Sequence, residues 1–193
     1  MKTGIIILAA GESTRLGYPK QIAKYKEKTL LQLAIDAANE SKADKRVLVL
    51  GANRDEIKKT FAGASIPNIP NSHFEKGMSS SIKVGLEYML KFDKPDQVII
   101  ILCDQPFVDA KILNKLISTQ KKESKGIVAC EYSKTVGVPI LFGKAYFKQL
   151  MELTGDEGAK NIVLANEDDM ATVSFPKGKV DIDTEEDLRD LNL

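Results

Sequence analysis

The segment LAAGESTRLGYPK, Leu8 to Lys20, takes over from the end of an apolar run, Gly4 to Ala9. The run is short, rich in isoleucine and without polar alternation, which reads as a strand buried on both faces. The segment after it packs Gly11, Gly17, small polar residues, Arg15, Pro19 and Lys20 into one turn. This pairing constrains the chain toward an open α/β sheet, where central strands end in glycine-rich loops that meet phosphorylated ligands. Such a loop leaves backbone N–H groups free to face an anion, with two positive side chains beside them. Spacing separates it from two familiar phosphate loops. A P-loop follows G-x-x-x-x-G-K-[ST]. Here five residues separate Gly11 from Gly17, Lys20 comes three after Gly17, and Gln21 follows it. The dinucleotide pattern G-x-G-x-x-G fails too, because Ser13 stands two after Gly11. The segment is a phosphate loop of another kind or a plain strand-to-helix turn.

The rest of the chain alternates apolar runs with amphipathic stretches. Ile5 to Leu8, Val47 to Leu50, Val98 to Leu102 and Ile127 to Ala129 read as buried, parallel strands. Val138 to Phe142 and Thr172 to Phe175 read as further strands. Thr29 and Gln32 form a capping-box signature before Leu33, Ala34 and Ala37. Helices are predicted over Arg54 to Phe61 and Met78 to Leu90, and after a cap at Asp109. Others are predicted over Ala145 to Leu153, Glu157 to Ala165 and Thr184 to Leu191. This alternation predicts an α/β fold: a Rossmann-like, mostly parallel sheet with helices on both faces, in a single domain over residues 1–193.

Charge excludes some partners. With 28 basic and 27 acidic residues the net charge is +1, so no strong field draws in nucleic acid or an anionic membrane. Cys103 and Cys130 stand alone, which argues against a zinc site or a disulfide framework and fits a reducing cytoplasm. The first residues read as a strand rather than a leader, and no apolar run approaches membrane-spanning length.

Several residues carry candidate chemistry. Asp104 ends the most apolar strand, VIIILCDQP, and Pro106 helps stop that strand. A carboxylate at a strand end beside a phosphate loop suits Mg²⁺, which shares itself between few carboxylates and substrate phosphates; the alternative is a turn cap. Asp181 and Asp183 flank Ile182, and in an extended segment they point to the same side. Two like charges on one face favour a cation between them, while Thr184 with Asp187 resembles a cap for the last helix. GMSSSIKVGL, from Gly77, sets Ser79, Ser80 and Ser81 at a helix start, where free N–H groups and hydroxyls suit a base or a phosphate. GDEGAK, Gly155 to Lys160, is a second glycine-flanked acidic turn. His73, the only histidine, reads as a loop residue, and no arrangement for covalent catalysis stands out.

Six segments in this order resemble the nucleotidyltransferases that attach a nucleotide to molybdopterin: LAAGESTRLGYPKQ, GMSSSIKVGL, LCDQPFV, GVPILF, GDEGAK and DIDTEEDL. The molybdenum cofactor cytidylyltransferase branch is the most similar, since Ala9-Ala10-Gly11 stands where guanosine-using relatives usually have Ala-Gly-Gly. The resemblance implies transfer of a cytidylyl group from CTP to molybdopterin or molybdenum cofactor. It implies Mg²⁺ as cofactor and a molybdoenzyme or its maturation chaperone as partner. It places Leu8, Ala9, Ala10, Gly11, Gly77, Ser80 and Ser81 on the nucleotide. It assigns catalysis to Arg15, Lys20 and Asp104, with Arg15 and Lys20 on the triphosphate. It gives the metal to Asp104, Asp181 and Asp183, and the acceptor to Gly155, Asp156 and Gly158. Lys160 departs from the usual arginine of the GDxGAR turn. Two other readings stand beside it: a cytidylyltransferase for another phosphorylated acceptor, such as an isoprenoid or sugar precursor, and a non-catalytic cofactor-delivery protein. The short spacing from Arg15 to Lys20 speaks against the first, and the presence of all three aspartates against the second.

Overall fold

The computed structural model describes residues 1–13, 16–61 and 66–192. Its centre is β1 (Thr3–Ala9), buried along its whole length. β1 pairs in parallel with β4 (Lys45–Leu50) on one side and β6 (Gln97–Leu102) on the other. β5 (Asn68–Pro70) extends the sheet beyond β4. Beyond β6 lie β8 (Thr135–Gly143), β7 (Ile127–Tyr132) and β9 (Met170–Ser174), giving the order β5-β4-β1-β6-β8-β7-β9. Only β8 runs against its neighbours. A two-strand ribbon, β2 (Lys24–Tyr25) with β3 (Lys28–Thr29), stands apart from the main sheet.

β8 is antiparallel because a tight hairpin returns the chain. Ser133 and Lys134 both have positive φ (50° and 61°), the geometry of a two-residue primed turn. The fold is thus the expected mostly parallel α/β sheet. The antiparallel strand and the short β2, β3 and β5 were not anticipated.

Side chains of β1 and of Ala10 just after it alternate between two cores. Ile5, Ile7 and Ala9 pack with α1 (Leu30–Glu40), α2 (Arg54–Thr60) and α4 (Ala110–Glu123). Ile6, Leu8 and Ala10 pack with α3 (Met78–Phe92), α5 (Phe147–Glu152) and α6 (Lys160–Leu164). Helix starts follow the caps in the sequence: Thr29 Oγ1 accepts from the Gln32 N–H (3.1 Å) and Asp109 Oδ1 from the Ile112 N–H (2.9 Å). Gln32 does not close the capping box; its amide turns to Asp36 (2.7 Å). In α3, Gly85 lies against Ile6 so closely that a Cβ would collide with the Ile6 side chain, so glycine lets this helix sit on β1.

From β1 the chain builds outward through β4 and β5, then crosses by α3 to β6 on the other side of β1. The strand order therefore reverses between β1 and β6. Crevices outside the carboxyl ends of strands at such a point are where open α/β sheets take their ligands.

Candidate active site in the cleft between β1 and β6

A cleft of about 390 Å³ opens at this reversal. Its walls include Leu8, Ala9, Ala10 and Gly11 from β1 and its loop, Cys103 and Asp104 after β6, and Gly77 and Ser81 at the start of α3. Leu8 pairs with Leu102, which brings the loops after β1 and β6 side by side. A larger groove, about 640 Å³, runs between α1 and α4. It is lined by Lys111 and Lys115 but not by the acids after β6 other than Asp109, which caps α4. The chemistry converges in the smaller cleft.

Lys20 is the hub. Its Nζ donates to Asp104 Oδ2 at 2.6 Å and to Asp183 Oδ1 at 2.9 Å. Burial acts to lower the Lys20 pKa, but the charge and hydrogen bond of Asp104 and the hydrogen bond of Asp183 outweigh it and hold the ammonium above its ordinary value. Asp183 reaches this point because the C-terminal segment docks beside β6. Ile182 is fully buried with Leu16, Ala23 and Leu30, and its N–H donates to the Asp104 carbonyl (3.0 Å). Asp181 lies on the other side of Ile182 and is exposed. Although the residue is exposed, neighbouring protein partly desolvates its carboxyl, and this, then the charges of Asp104 and Asp183, pushes it above the usual range.

The three aspartates expected around one cation are therefore arranged differently. Asp104 and Asp183 share the Lys20 ammonium, and no cluster of three or more potential ligands forms among the described residues. The donor set still fits a divalent ion. Asp104 Oδ1 is buried without a hydrogen-bond partner among the described residues, an unmet acceptor of the kind a hard cation takes. Asp104 and Asp183 would hold such an ion, with Asp181 close by.

The loop over Lys20 is pinned by a residue that the sequence pattern did not single out. Gln21 is 0% exposed, and its Nε2 donates to the carbonyls of Ala9 and Gly11, both at 3.0 Å. The Lys20 N–H donates to Ser13 Oγ (2.9 Å), closing the loop on itself. A Cβ on Gly11 would meet nothing within 4 Å, so this glycine presents open backbone. Ala10, 6% exposed, lines the cleft and also packs against Gly51. Arg15 lies outside the described residues.

The three serines of α3 do different work. Ser79 donates through its N–H (3.2 Å) and its hydroxyl (2.7 Å) to the Gly155 carbonyl. Ser80 turns back onto the carbonyls of Gly77 and His73, away from the cleft lining. Ser81 lines the cleft. Gly77 has φ +87°, and a Cβ there would strike Asp156 and Gly155. The GDEGAK turn thus closes onto the start of α3, where the Gly155 carbonyl accepts from Ser79, and brings Asp156 into the cleft; a Cβ on Gly158 would press on Met78 Sδ (3.3 Å). Lys160 points to Thr135 Oγ1 (2.8 Å). Sequence reasoning also passed over Phe74 and Glu75, which line the cleft.

Residues 5–170 match the model of the MobA-like NTP transferase domain. The chain belongs to this family. Among curated relatives, the bifunctional protein GlmU of Buchnera aphidicola subsp. Schizaphis graminum is 31% identical over 146 residues, which is 75% of this chain and 30% of that protein. The chain spans about a third of the length of the curated relatives it matches first. Among solved structures, Rv0371c from Mycobacterium tuberculosis H37Rv superposes with a TM-score of 0.84 and 28% identity, covering 100% of this chain and 97% of that one. A structure of the same protein in complex with manganese gives 0.83 and 26%, covering 100% and 98%. The glycine loop after β1, the acid after β6 and the start of α3 all fall within the matched residues and meet in one cleft.

Proposed function

We propose that the chain transfers a nucleotidyl group from a nucleoside triphosphate to a phosphorylated acceptor, with CTP as donor and molybdopterin or molybdenum cofactor as acceptor. The observation that carries this reading is the Lys20 ammonium held between Asp104 and Asp183 at the foot of a glycine loop. That arrangement suits charge neutralisation of a triphosphate rather than proton abstraction or a covalent intermediate.

A phosphate oxygen of the acceptor attacks the α-phosphorus of the nucleotide in line, a P–O bond forms, and pyrophosphate leaves. A phosphate monoester, with a second pKa of about 6, is largely dianionic at neutral pH and needs no general base. The work left to the chain is alignment and electrostatic stabilisation. Backbone N–H groups of the Ala9-Ala10-Gly11 loop face the phosphates, held by Gln21. Lys20, with Arg15, meets the triphosphate. Asp104 and Asp183 would hold the divalent ion, Mg²⁺ in this reading, which when bound would neutralise phosphate charge. The manganese complex of Rv0371c supports a divalent ion here. Gly77 and Ser81 face the nucleotide, and Asp156 faces the acceptor side.

The test is to incubate the protein with each nucleoside triphosphate, Mg²⁺ and molybdopterin, and to identify products by mass. A cytidine dinucleotide of the pterin with release of pyrophosphate is expected. Transfer to a sugar or isoprenoid phosphate instead would move the acceptor assignment and leave the reaction type in place. No transfer to any phosphorylated acceptor would refute the reading.

A further inference from the structure

Asn71 follows directly on β5 and is 2% exposed. Its N–H donates to the Leu50 carbonyl (2.7 Å), which fixes it beside the end of β4. The side-chain amide has one consistent orientation. Its Oδ1 accepts from the His73 backbone N–H (2.9 Å), a group that can only donate. The NH₂ end therefore faces α3, where it donates to Ser80 Oγ (2.8 Å) and Ser81 Oγ (2.9 Å).

Counting protons then separates the two serines. The Ser80 hydroxyl accepts from Asn71 and passes its own hydrogen to the carbonyl of His73 or Gly77 (2.9 and 2.8 Å). The Ser81 hydroxyl also accepts from Asn71, but no acceptor for its hydrogen stands within reach among the described residues. Ser81 is 4% exposed and lines the cleft. A nearly buried hydroxyl that already accepts one bond has its hydrogen left to give, and leaving it ungiven is costly.

We propose that Asn71 is a positioning residue that sets Ser81 as a hydrogen-bond donor toward the cleft, so that the nucleotide atom lodged there is an acceptor. The matching group is a carbonyl oxygen or an unprotonated ring nitrogen of the base. Cytosine offers both, at O2 and N3. The inference rests on the nucleotide-transfer reading and deepens it: it names the polarity of one contact and the residue, remote from the ligand, that fixes it.

Asn71→Asp is the discriminating change, because it keeps size and removes the amide donor. The new carboxylate accepts from Ser81, which then turns its lone pairs toward the cleft and against the nucleotide acceptor. Isothermal titration of CTP into wild type, Asn71→Asp, Ser81→Ala and the double variant reads the coupling. CTP affinity is expected to fall about tenfold or more in each single variant, with the double variant no weaker than Ser81→Ala. In steady state, KM for CTP rises while kcat is kept, as for an interaction made equally before and in the transition state. Analogues give a second measurement that needs no Asn71 variant. Wild type is expected to bind either the 3-deaza or the 2-deoxo form of CTP at least about tenfold more weakly than CTP, and Ser81→Ala to treat that analogue and CTP alike. Additive losses in the double variant, or both analogues bound by wild type as tightly as CTP, would overturn the inference and leave nucleotide transfer standing. Failure of every nucleoside triphosphate to bind would overturn both.

Discussion

Replacing Lys20 by methionine keeps the aliphatic stem and deletes the ammonium that joins Asp104 to Asp183. The three side chains are 18%, 14% and 29% exposed, between a surface pair and a buried one. An exposed pair is worth about 0–1 kcal/mol, and breaking a fully buried pair costs about 3–5 kcal/mol. Intermediate exposure places the loss near 2 kcal/mol, which for a chain of this size lowers Tm by about 4–8 °C. The pH dependence has a definite sign. With the ammonium gone, two like charges face each other and the pair's carboxyl pKa rises. The folded state then binds a proton more tightly than the unfolded chain does. The deficit is therefore largest at neutral pH and shrinks as pH falls toward the carboxylate range. In the wild type, Lys20 titrates above its ordinary 10.5, so its contribution is fully present below that pH and is lost only as pH rises beyond it. Thermal melts of both proteins at pH 7 and pH 5, with and without Mn²⁺, test the argument. The variant should regain stability at pH 5 and on adding the ion. A variant within about 0.5 kcal/mol of wild type at pH 7, with the same pH slope and no response to Mn²⁺, would refute it and make Lys20 a surface lysine.

Asp104→Ala should fold and lose turnover; a rate above about a tenth of wild type, under 1.4 kcal/mol of transition-state stabilisation, would remove Asp104 from the machinery. Gln21→Leu leaves the carbonyls of Ala9 and Gly11 without their shared donor. It should cost about 1–3 kcal/mol in urea unfolding and raise KM for the nucleotide, and an unchanged KM would free the loop from Gln21. Asp169 accepts from the Gly126 N–H and the Tyr146 hydroxyl, which lower its pKa. Its stabilisation is present above the ordinary carboxylate pKa and is lost as pH falls through the lowered value. Asp169→Asn should therefore flatten the acid limb of a stability–pH curve, and an unchanged limb would exclude this carboxylate from acid unfolding. In a direct competition with Mg²⁺ and molybdopterin, CTP should be used in preference to GTP; equal incorporation would refute the cytidine assignment.

The elements readable in the sequence are those whose signal is local. The apolar run of β1 and the caps Thr29 and Asp109 needed only neighbouring residues to be recognised. β8 was half visible. Its apolar part, Val138 to Phe142, reads as a strand, but its direction is set by Ser133 and Lys134, a turn pair without the usual asparagine or glycine. The predicted helix over Glu157 to Ala165 begins only at Lys160, because the GDEG residues before it form the turn against α3. β5, three residues long, ends in a proline and lacks any alternation to detect.

The site divides along the same line. Asp104 announces itself as the acid at the end of the most apolar strand. Asp183 does so less clearly, since its approach depends on Ile182 entering a small cluster with Leu16, Ala23 and Leu30, far away in the chain. The serines show the limit most sharply. Ser79, Ser80 and Ser81 are identical in type and adjacent in sequence, yet Ser79 meets Gly155, Ser80 meets Asn71 and the Gly77 and His73 carbonyls, and Ser81 meets Asn71. Helical geometry alone turns successive side chains by about 100°, so each serine meets a different set of partners, although Ser80 and Ser81 share Asn71. Which wall holds a carbonyl and which an amide is decided by strands and turns elsewhere in the chain. Composition therefore marks the start of α3 as polar, and only the fold decides that Ser81, held by a donor, is the hydroxyl with a hydrogen to give.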